Sequence, residues 1–427
     1  MPSQTQSATT RGNVDLFDPR TYEQGIPYDE FARLRETEPV SWHPEPAILG
    51  WPEGPGFWAV TRHEDVAAVS KNPRVFSSHR GATQLRDPDD ADDLAFIQQM
   101  MLNMDPPEQV RLRKLVNTGF TPRGIARAVP VIQRIAREVI DGVGHVGTCD
   151  FAEDVGADFP LRTLCAIMGV PEEDRHLLYQ WTNRVIGYQD DELSEPLTDP
   201  DTGKPLNPRS PKALADMFAY AHRLAEDKRD QRGDDLLSVL LDAEIEGERL
   251  SDGEFEMMFF LFTVAGNDTT HSAVPGSMLA LLKHPDQLAW LCADLDTRLD
   301  RAVEELFRFC PPVIHFRRTA VVDTELGGVS IHEGDKVVVF YPAANRDPEV
   351  FGRPDELRLD RHPNPHLTFG IGPHFCLGNS LARVQLVSLL RETLSRLHDL
   401  RLDGPVERLR SNFIAGIKHM PVRFTAE

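Results

Sequence analysis

The chain has 427 residues, of which 41% are hydrophobic and 26% charged, the proportions of an ordinary globular protein. Its 46 Lys and Arg against 67 Asp and Glu give a formal net charge of −21, which favours solubility and opposes binding to nucleic acid. The five cysteines, Cys149, Cys165, Cys292, Cys310 and Cys376, include no Cys-x-x-Cys pair, so neither a disulfide framework nor a zinc site is indicated and a reducing cytoplasm fits best.

Residues 1–14, MPSQTQSATTRGNV, are polar and lack an apolar signal-peptide core, so they read as a disordered tail. After them, Val40-Ser41-Trp42 and Trp58-Ala59-Val60 flank a Pro/Gly-rich stretch at 44–56, as two strands of a small sheet would. Residues 77–105 are rich in Asp and Gly around an apolar island at 94–102, and residues 187–211 are rich in Pro and Asp. Breaks this long are more often lids or disordered segments than plain connections. From 106 to about 291 the period is otherwise helical, with Val129, Ile132, Ile135, Val139 and Ile140 on one stripe and Ala213, Met217, Tyr220, Ala221 and Leu224 on another.

Ser251-Asp252-Gly253-Glu254 reads as a capping box that opens a helix over 251–284, about 50 Å long at 1.5 Å per residue. Pro275 should kink this helix rather than end it, because the period resumes at Met278, Leu281 and Leu282. It is apolar nearly all round between Met257 and Ala265, which predicts a path through the interior. No apolar run approaches the ~20 residues of a membrane span. A helix at 300–309 stopped by Pro311-Pro312, a strand at 337–341 and turn-rich sequence lead on to Cys376. There is no internal repeat and no linker, so residues 15–427 read as one α-rich domain with small sheets, mainly α within an α+β class.

A lone cysteine is ordinarily a small buried hydrophobe. Cys376 differs in its setting, Phe369-Gly370-Ile371-Gly372-Pro373-His374-Phe375-Cys376-Leu377-Gly378, followed at once by the helical pattern Leu381, Ala382, Val384, Leu386, Val387 and Leu390. The upstream glycines permit a tight turn, and the start of a helix offers unpaired N–H groups and a positive dipole end that favour a thiolate. Gly378 leaves room for a flat ligand against the helix.

This loop resembles the ligand loop of the cytochrome P450 family, the haem-thiolate monooxygenases, with pattern Phe-Gly-x-Gly-x-His/Arg-x-Cys-x-Gly, and every fixed position is present. The resemblance implies the cytochrome P450 fold with a long central helix, haem b as cofactor, and Cys376 as the thiolate ligand of the iron. Ala265-Gly266-Asn267-Asp268-Thr269-Thr270 is similar to the family's oxygen-binding segment. By resemblance Ala265 and Gly266 border the cofactor, Thr269 hydrogen-bonds the bound oxygen and Asp268 relays protons. The residues themselves agree: small side chains leave space, a threonine hydroxyl can bond the carbonyl four residues back, and a carboxylate inside an apolar stretch needs a reason to be there.

Glu305 and Arg308 form an i, i+3 pair that matches the family's buried Glu-x-x-Arg element. Its third partner is left unassigned, because Leu357 and Arg358 stand where bacterial members often have Phe and Asp. For the haem propionates, 106–113 resembles the family's third long helix, with Gln109 in place of the common His and Arg113 retained. Arg318 and His374 complete the set, and Phe369 and Gly378 belong to the loop pattern. Arg111 and Arg317, the nearest alternatives, should face solvent or other partners.

The implied reaction is insertion of one atom of O₂ into a C–H bond of a lipophilic small molecule. Electrons would come from a ferredoxin and its NAD(P)H-dependent reductase to a cytoplasmic monomer without membrane or nucleic-acid partners. Asn267, Phe316 to Ala320 and Pro363-Asn364-Pro365-His366 are similar to bacterial members acting on steroids, branched lipids and linalool-like terpenes. Phe96, Met101, Val313 and Ile314 read equally as pocket wall or core. Arg74, Lys114, Arg123 and Arg391 are candidates for a basic docking patch. Two other readings are a peroxide-driven haem-thiolate enzyme, which would replace the Asp268-Thr269 pair, and a haem-based sensor, which would need a signalling or DNA-binding module that the chain has no spare length to form.

Overall fold

In the computed structural model, which describes residues 14–88, 90–194, 197–199, 203 and 206–425, the capping box at Ser251 opens the longest element, a helix over Asp252–Lys283. Ser251 Oγ accepts from the Glu254 backbone N–H, and the Glu254 carboxylate accepts from the Ser251 N–H. Pro275 lies inside this helix without ending it. A helix with so little polar surface must be covered on all sides, and it is: helices Asp158–Met168, Arg175–Ile186, Ala215–Asp230 and Asn379–Arg396 all pack on it.

Two apolar cores meet along this helix. One gathers its first half, with Met258 and Phe259, against Leu178, Trp181, Met217 and Leu237. The other gathers its second half, with Val274, Met278 and Leu281, against Ile132, Phe159, Leu306, Leu386 and Leu390. Between them lies the polar stretch 265–272. Most of the predicted stripes is borne out: Ile132, Ile135, Val139 and Ile140 are buried in Pro122–Gly144, and Met217, Tyr220, Ala221 and Leu224 in Ala215–Asp230, whereas Val129 is only partly buried and Ala213 precedes its helix. Within the long helical region the sequence pattern missed a short strand, Thr148–Asp150, which pairs with Pro421–Thr425 near the carboxyl end.

The strands predicted near the amino end are Val40–Glu45 and Gly54–Val60, antiparallel with Val40 opposite Val60 and Trp42 opposite Trp58. They join a five-stranded sheet whose buried middle is Lys336–Phe340. Tyr341, expected in that strand, instead begins the short helix Tyr341–Ala344. The apolar island of 94–102 folds as a helix, Ala91–Ile97, capped by Asp90, with Met100 and Met101 buried behind it. Residues 1–13 of the predicted tail lie outside the described residues, as does part of 187–211. Among the described residues no helix is long and apolar enough to cross a membrane.

Candidate active site

The Cys376 loop is shaped by its glycines. Gly370 and Gly372 have φ of +69° and +81°, and a Cβ on Gly372 would lie 2.6 Å from the Ser70 carbonyl oxygen. Only glycine meets both demands there. The loop closes when the Cys376 N–H donates to the Phe369 carbonyl at 2.8 Å, and Phe369 is held edge-on by Phe307 with the Arg383 guanidinium 4.4 Å from its ring centre. Cys376 then precedes the helix Asn379–Arg396, whose Asn379 side chain donates back to the Cys376 carbonyl at 2.8 Å. A Cβ on Gly378 would meet nothing within 4 Å.

The helix start does not ionise the thiol by itself, contrary to the expectation from sequence. Burial pushes Cys376 up, and this outweighs the backbone N–H groups of Gly378 and Asn379 and the charges of Arg113 and Arg383, all of which pull it down. A bound metal cation would tip that balance towards the thiolate. The other cysteines lie elsewhere, and burial drives Cys149 and Cys165 up to about 12 and Cys310 to about 11.

On the central helix, Ala265 is exposed and Gly266 and Thr269 are partly so, although residues 257–263 before them are buried. The helix therefore borders an internal space at this point. Thr269 Oγ1 donates to the Ala265 carbonyl at 2.8 Å, as the sequence suggested. Gly266 has a different reason to be small: its missing Cβ would lie 3.0 Å from Leu164 of the neighbouring helix. Thr270 donates to Gln385 at 3.4 Å, which links this stretch to the helix that follows Cys376. Asp268 is buried, its Oδ2 has no partner among the described residues, and burial raises its pKa well above the usual carboxylate value.

Cations gather at the cysteine loop. Gln109 Nε2 donates to the Pro373 carbonyl at 2.9 Å, and Arg113 donates to the same oxygen at 3.3 Å. Arg318 is buried and donates to the Arg317 carbonyl. His374 shares a hydrogen bond with Ser78 Oγ, and burial, then the charges of Arg318 and Arg113, lower its pKa to about 3. Among the described residues neither Arg113 nor Arg318 forms an ion pair, although burial penalises both charges. Withdrawn cations without counter-anions are costly; beside a thiol and an open space, they fit the propionates of a haem. Arg111 pairs instead with Glu254 and Glu248, and Arg317 with Asp87.

Glu305 and Arg308 are fully buried and joined at 2.7 and 2.8 Å. The partner that sequence reasoning missed is Arg361, whose Nε lies 3.0 and 2.9 Å from the two Glu305 oxygens, with Asn364 adding a bond at 3.1 Å. The signal was present in Arg361-His362-Pro363-Asn364, where a cation stands among turn residues. Next door, Glu304 accepts from Arg383 and bonds His366; despite burial, which raises it, these hold its pKa down to about 2.

Of the pocket candidates, Phe96 stacks edge-on to Phe218, Met101 is buried, and Val313 is bridged to Ile414. Ile314 has no exposed surface and sits in the cluster of Leu16, Phe31 and Phe340, the core alternative of its two readings. Arg74, Lys114 and Arg123 are exposed, whereas Arg391 is already paired with Asp296.

A family model described as Cytochrome P450 matches residues 202–404. The chain is 37% identical to a steroid C26-monooxygenase of Rhodococcus jostii, over 96% of this chain and 84% of that one. It is also 37% identical to a methyl-branched lipid omega-hydroxylase of Mycobacterium bovis, over 92% of this chain and 90% of the relative. A solved Mycobacterium marinum cytochrome P450 in complex with pseudoionone aligns with a TM-score of 0.84 at 39% identity, covering 98% of this chain and 100% of that one. With more than a third of its residues shared along nearly its whole length, the protein belongs to the cytochrome P450 family and is a haem b-dependent monooxygenase.

Proposed function

We propose that the protein, as one domain over 15–427, inserts an oxygen atom into a C–H bond of a lipophilic small molecule of steroid, branched-lipid or terpenoid type. The observation that carries the site is the convergence of Arg113 and Arg318, which have no ion-pair partner among the described residues, with His374 on the loop of Cys376. The substrate class is supported by the names of the relatives and by apolar surroundings that include Phe96, Met101 and Val313.

Haem b, when bound, supplies O₂ activation at a thiolate-ligated iron. Cys376 provides the ligand, and Arg113, Arg318 and His374 hold the propionates. Gln109 and Arg113 keep the ligand loop in register through Pro373. Thr269 presents a hydroxyl to the space beside Ala265, and burial favours the protonated form of the Asp268 carboxyl, whose Oδ2 has no partner among the described residues. The two apolar cores on either side exclude bulk water. Electrons come from a ferredoxin and its NAD(P)H-dependent reductase in the cytoplasm. The presence of both Asp268 and Thr269 favours this route over direct use of peroxide.

The test has two parts. Cys376→Ser should abolish the thiolate-type spectrum of the reduced carbon monoxide complex, whereas changes at Cys149, Cys165, Cys292 or Cys310 should leave it intact; retention in Cys376→Ser sinks the site. A spectral screen of steroids, branched lipids and terpenoids for loss of water from the ferric haem, followed by turnover with ferredoxin and reductase or with H₂O₂ alone, then tests substrate and oxidant.

A further inference from the structure

Asp268 and Thr269 are neighbours in sequence but differ in surroundings. Thr269 is partly exposed next to Ala265, while Asp268 lines a cavity of about 30 Å³ that Thr269 does not line, with Glu153, Tyr179, His271 and Lys418. Asp268 is 7% exposed, and among the described residues neither its Oδ2 nor His271 Nε2 has a hydrogen-bond partner. These two residues are three apart on one helix and so share a face. A cavity of this size holds one or two waters, and water persists where it meets several polar partners. Here Asp268, His271, Glu153 and Tyr179 supply them.

Besides apolar residues such as Leu193, Leu409 and Ile414, the cavity wall carries ionisable groups, and further ones adjoin it. Glu153 comes from the turn Phe151–Ala157 and Tyr179 from Arg175–Ile186. Lys418 bonds Asp190 at 3.1 Å and Glu192 at 2.6 Å, and His419 bridges Asp150 and Glu192 at 2.8 Å each. The His419 side chain is 32% exposed, so the cluster meets solvent.

We propose that this cavity is the inlet through which solvent protons reach Asp268, with Glu153 as the entry acid and His271 as the residue that positions the intervening water. The inference rests on the reading of Asp268 as a proton relay. Each passage moves one proton and leaves no net change in the chain. A turn of the Asp268 side chain carries its proton from the cavity to the Thr269 side of the helix, cavity water replaces it at Oδ2, Glu153 restores the water, and solvent restores Glu153 by way of His419. Two shifts are in keeping with these roles. Burial, the largest influence, raises Glu153, and burial lowers His271 to about 4, so that His271 is neutral at pH 7 and can both accept and donate.

The test uses the haem-loaded protein and the variants Glu153→Gln and His271→Phe, with the reduced carbon monoxide spectrum as a check that the cofactor site is intact. The first readout is infrared: the band of the protonated Asp268 carboxyl, identified by its loss in Asp268→Asn, is followed during transfer to D₂O. Both variants should slow its exchange by about tenfold or more and should raise the solvent isotope effect on product formation. Exchange and isotope effect at wild-type values in both variants would overturn the inlet. Should Asp268→Asn be impaired while both inlet variants behave as wild type, the inlet alone fails. Should Asp268→Asn turn over with wild-type rate and isotope effect, the relay reading falls and the inlet with it.

Discussion

Gln109 donates its side-chain N–H to the carbonyl of Pro373 at 2.9 Å, immediately before His374 and in the same turn as Cys376. Arg113, one turn later in the helix Glu108–Asn117, reaches the same oxygen at 3.3 Å. The helix thus grips the ligand loop by one atom, and the residue that departs from the family's His serves the protein's own loop. Gln109→Ala should remove one neutral hydrogen bond, about 1 kcal/mol, and raise haem loss only a few-fold. Arg113→Ala also removes a charge-assisted contact, about 1.5–3 kcal/mol, and should raise it by about tenfold or more. Haem capture by an excess acceptor protein measures both rates; equal effects would mean that Gln109 touches the cofactor too.

Thr269 and Asp268 should fail differently when changed, because Thr269 bonds within its own helix whereas Asp268 lines the cavity of Glu153 and His271. Thr269→Ala removes only an in-helix bond to Ala265, so folding and substrate binding should be kept while reducing equivalents are diverted to peroxide. Asp268→Asn should lower the rate of turnover by about 10²-fold, within the range of general acid–base effects. Product formed per NAD(P)H consumed separates loss of yield from loss of rate. Wild-type rate and yield in both variants would contradict the assignment.

The buried cluster around Glu305 makes a sharp stability prediction. Arg361 is 5% exposed and meets both oxygens of a carboxylate that has no exposed surface. Arg361→Ala breaks a buried pair and should cost about 3–5 kcal/mol. Arg358 is the control: its backbone N–H donates to Glu305 at 3.0 Å, but its side chain forms just one ion pair among the described residues, a partly exposed one with Asp360 at 3.6 Å. Arg358→Ala should stay within about 0.5 kcal/mol. Denaturant titration of the two variants compares them directly.

What could be read from the sequence was what neighbouring residues determine. The capping box at Ser251, the glycine turn before Cys376 and the Thr269 bond to Ala265 each involve residues only a few positions apart. What could not be read depends on distant packing. Arg361 is 56 residues from Glu305. Val313 and Ile314 are adjacent, and nothing local tells which of them joins the core around Phe340. The upward push on Cys376 comes from desolvation by the whole fold, which a helix-start argument omits. The close atom that keeps residue 266 a glycine belongs to Leu164, one helix away, which no pattern within the central helix reveals.

Glu304 should set part of the acid limb of stability. Its folded pKa is about 2, below the ordinary value of 4.5, because bonds from His366 and Arg383 outweigh the raising effect of burial. Between those values the unfolded chain binds more protons than the folded one, so stability falls as pH falls. The contribution is complete above about pH 4.5 and is lost as pH drops through about 2. Glu304→Gln should therefore flatten the stability curve in that window while lowering stability at pH 7. An unchanged slope across that window would remove Glu304 from the account.

The docking of an electron donor should depend on Lys114 more than on Arg391. Both are basic residues near the cysteine segment, but Arg391 is already paired with Asp296, whereas Lys114 is exposed and directly follows Arg113, which touches the ligand loop. Exposed apolar surface lies in the same segments, at Val110 in the helix of Lys114 and at Phe375 beside Cys376. Lys114 beside the exposed Val110 offers an acidic ferredoxin a local cation next to an apolar contact, even though the chain as a whole carries −21. Exposed charges are screened over ~8–10 Å at ~0.1–0.15 M salt, so association should slow as ionic strength rises. Lys114→Glu should lower the association rate by about tenfold at low salt and leave substrate binding unchanged, with Arg391→Glu the weaker of the two. Stopped-flow electron transfer at several salt concentrations measures this, and a rate indifferent to both salt and the Lys114 reversal would rule out electrostatic docking on this face.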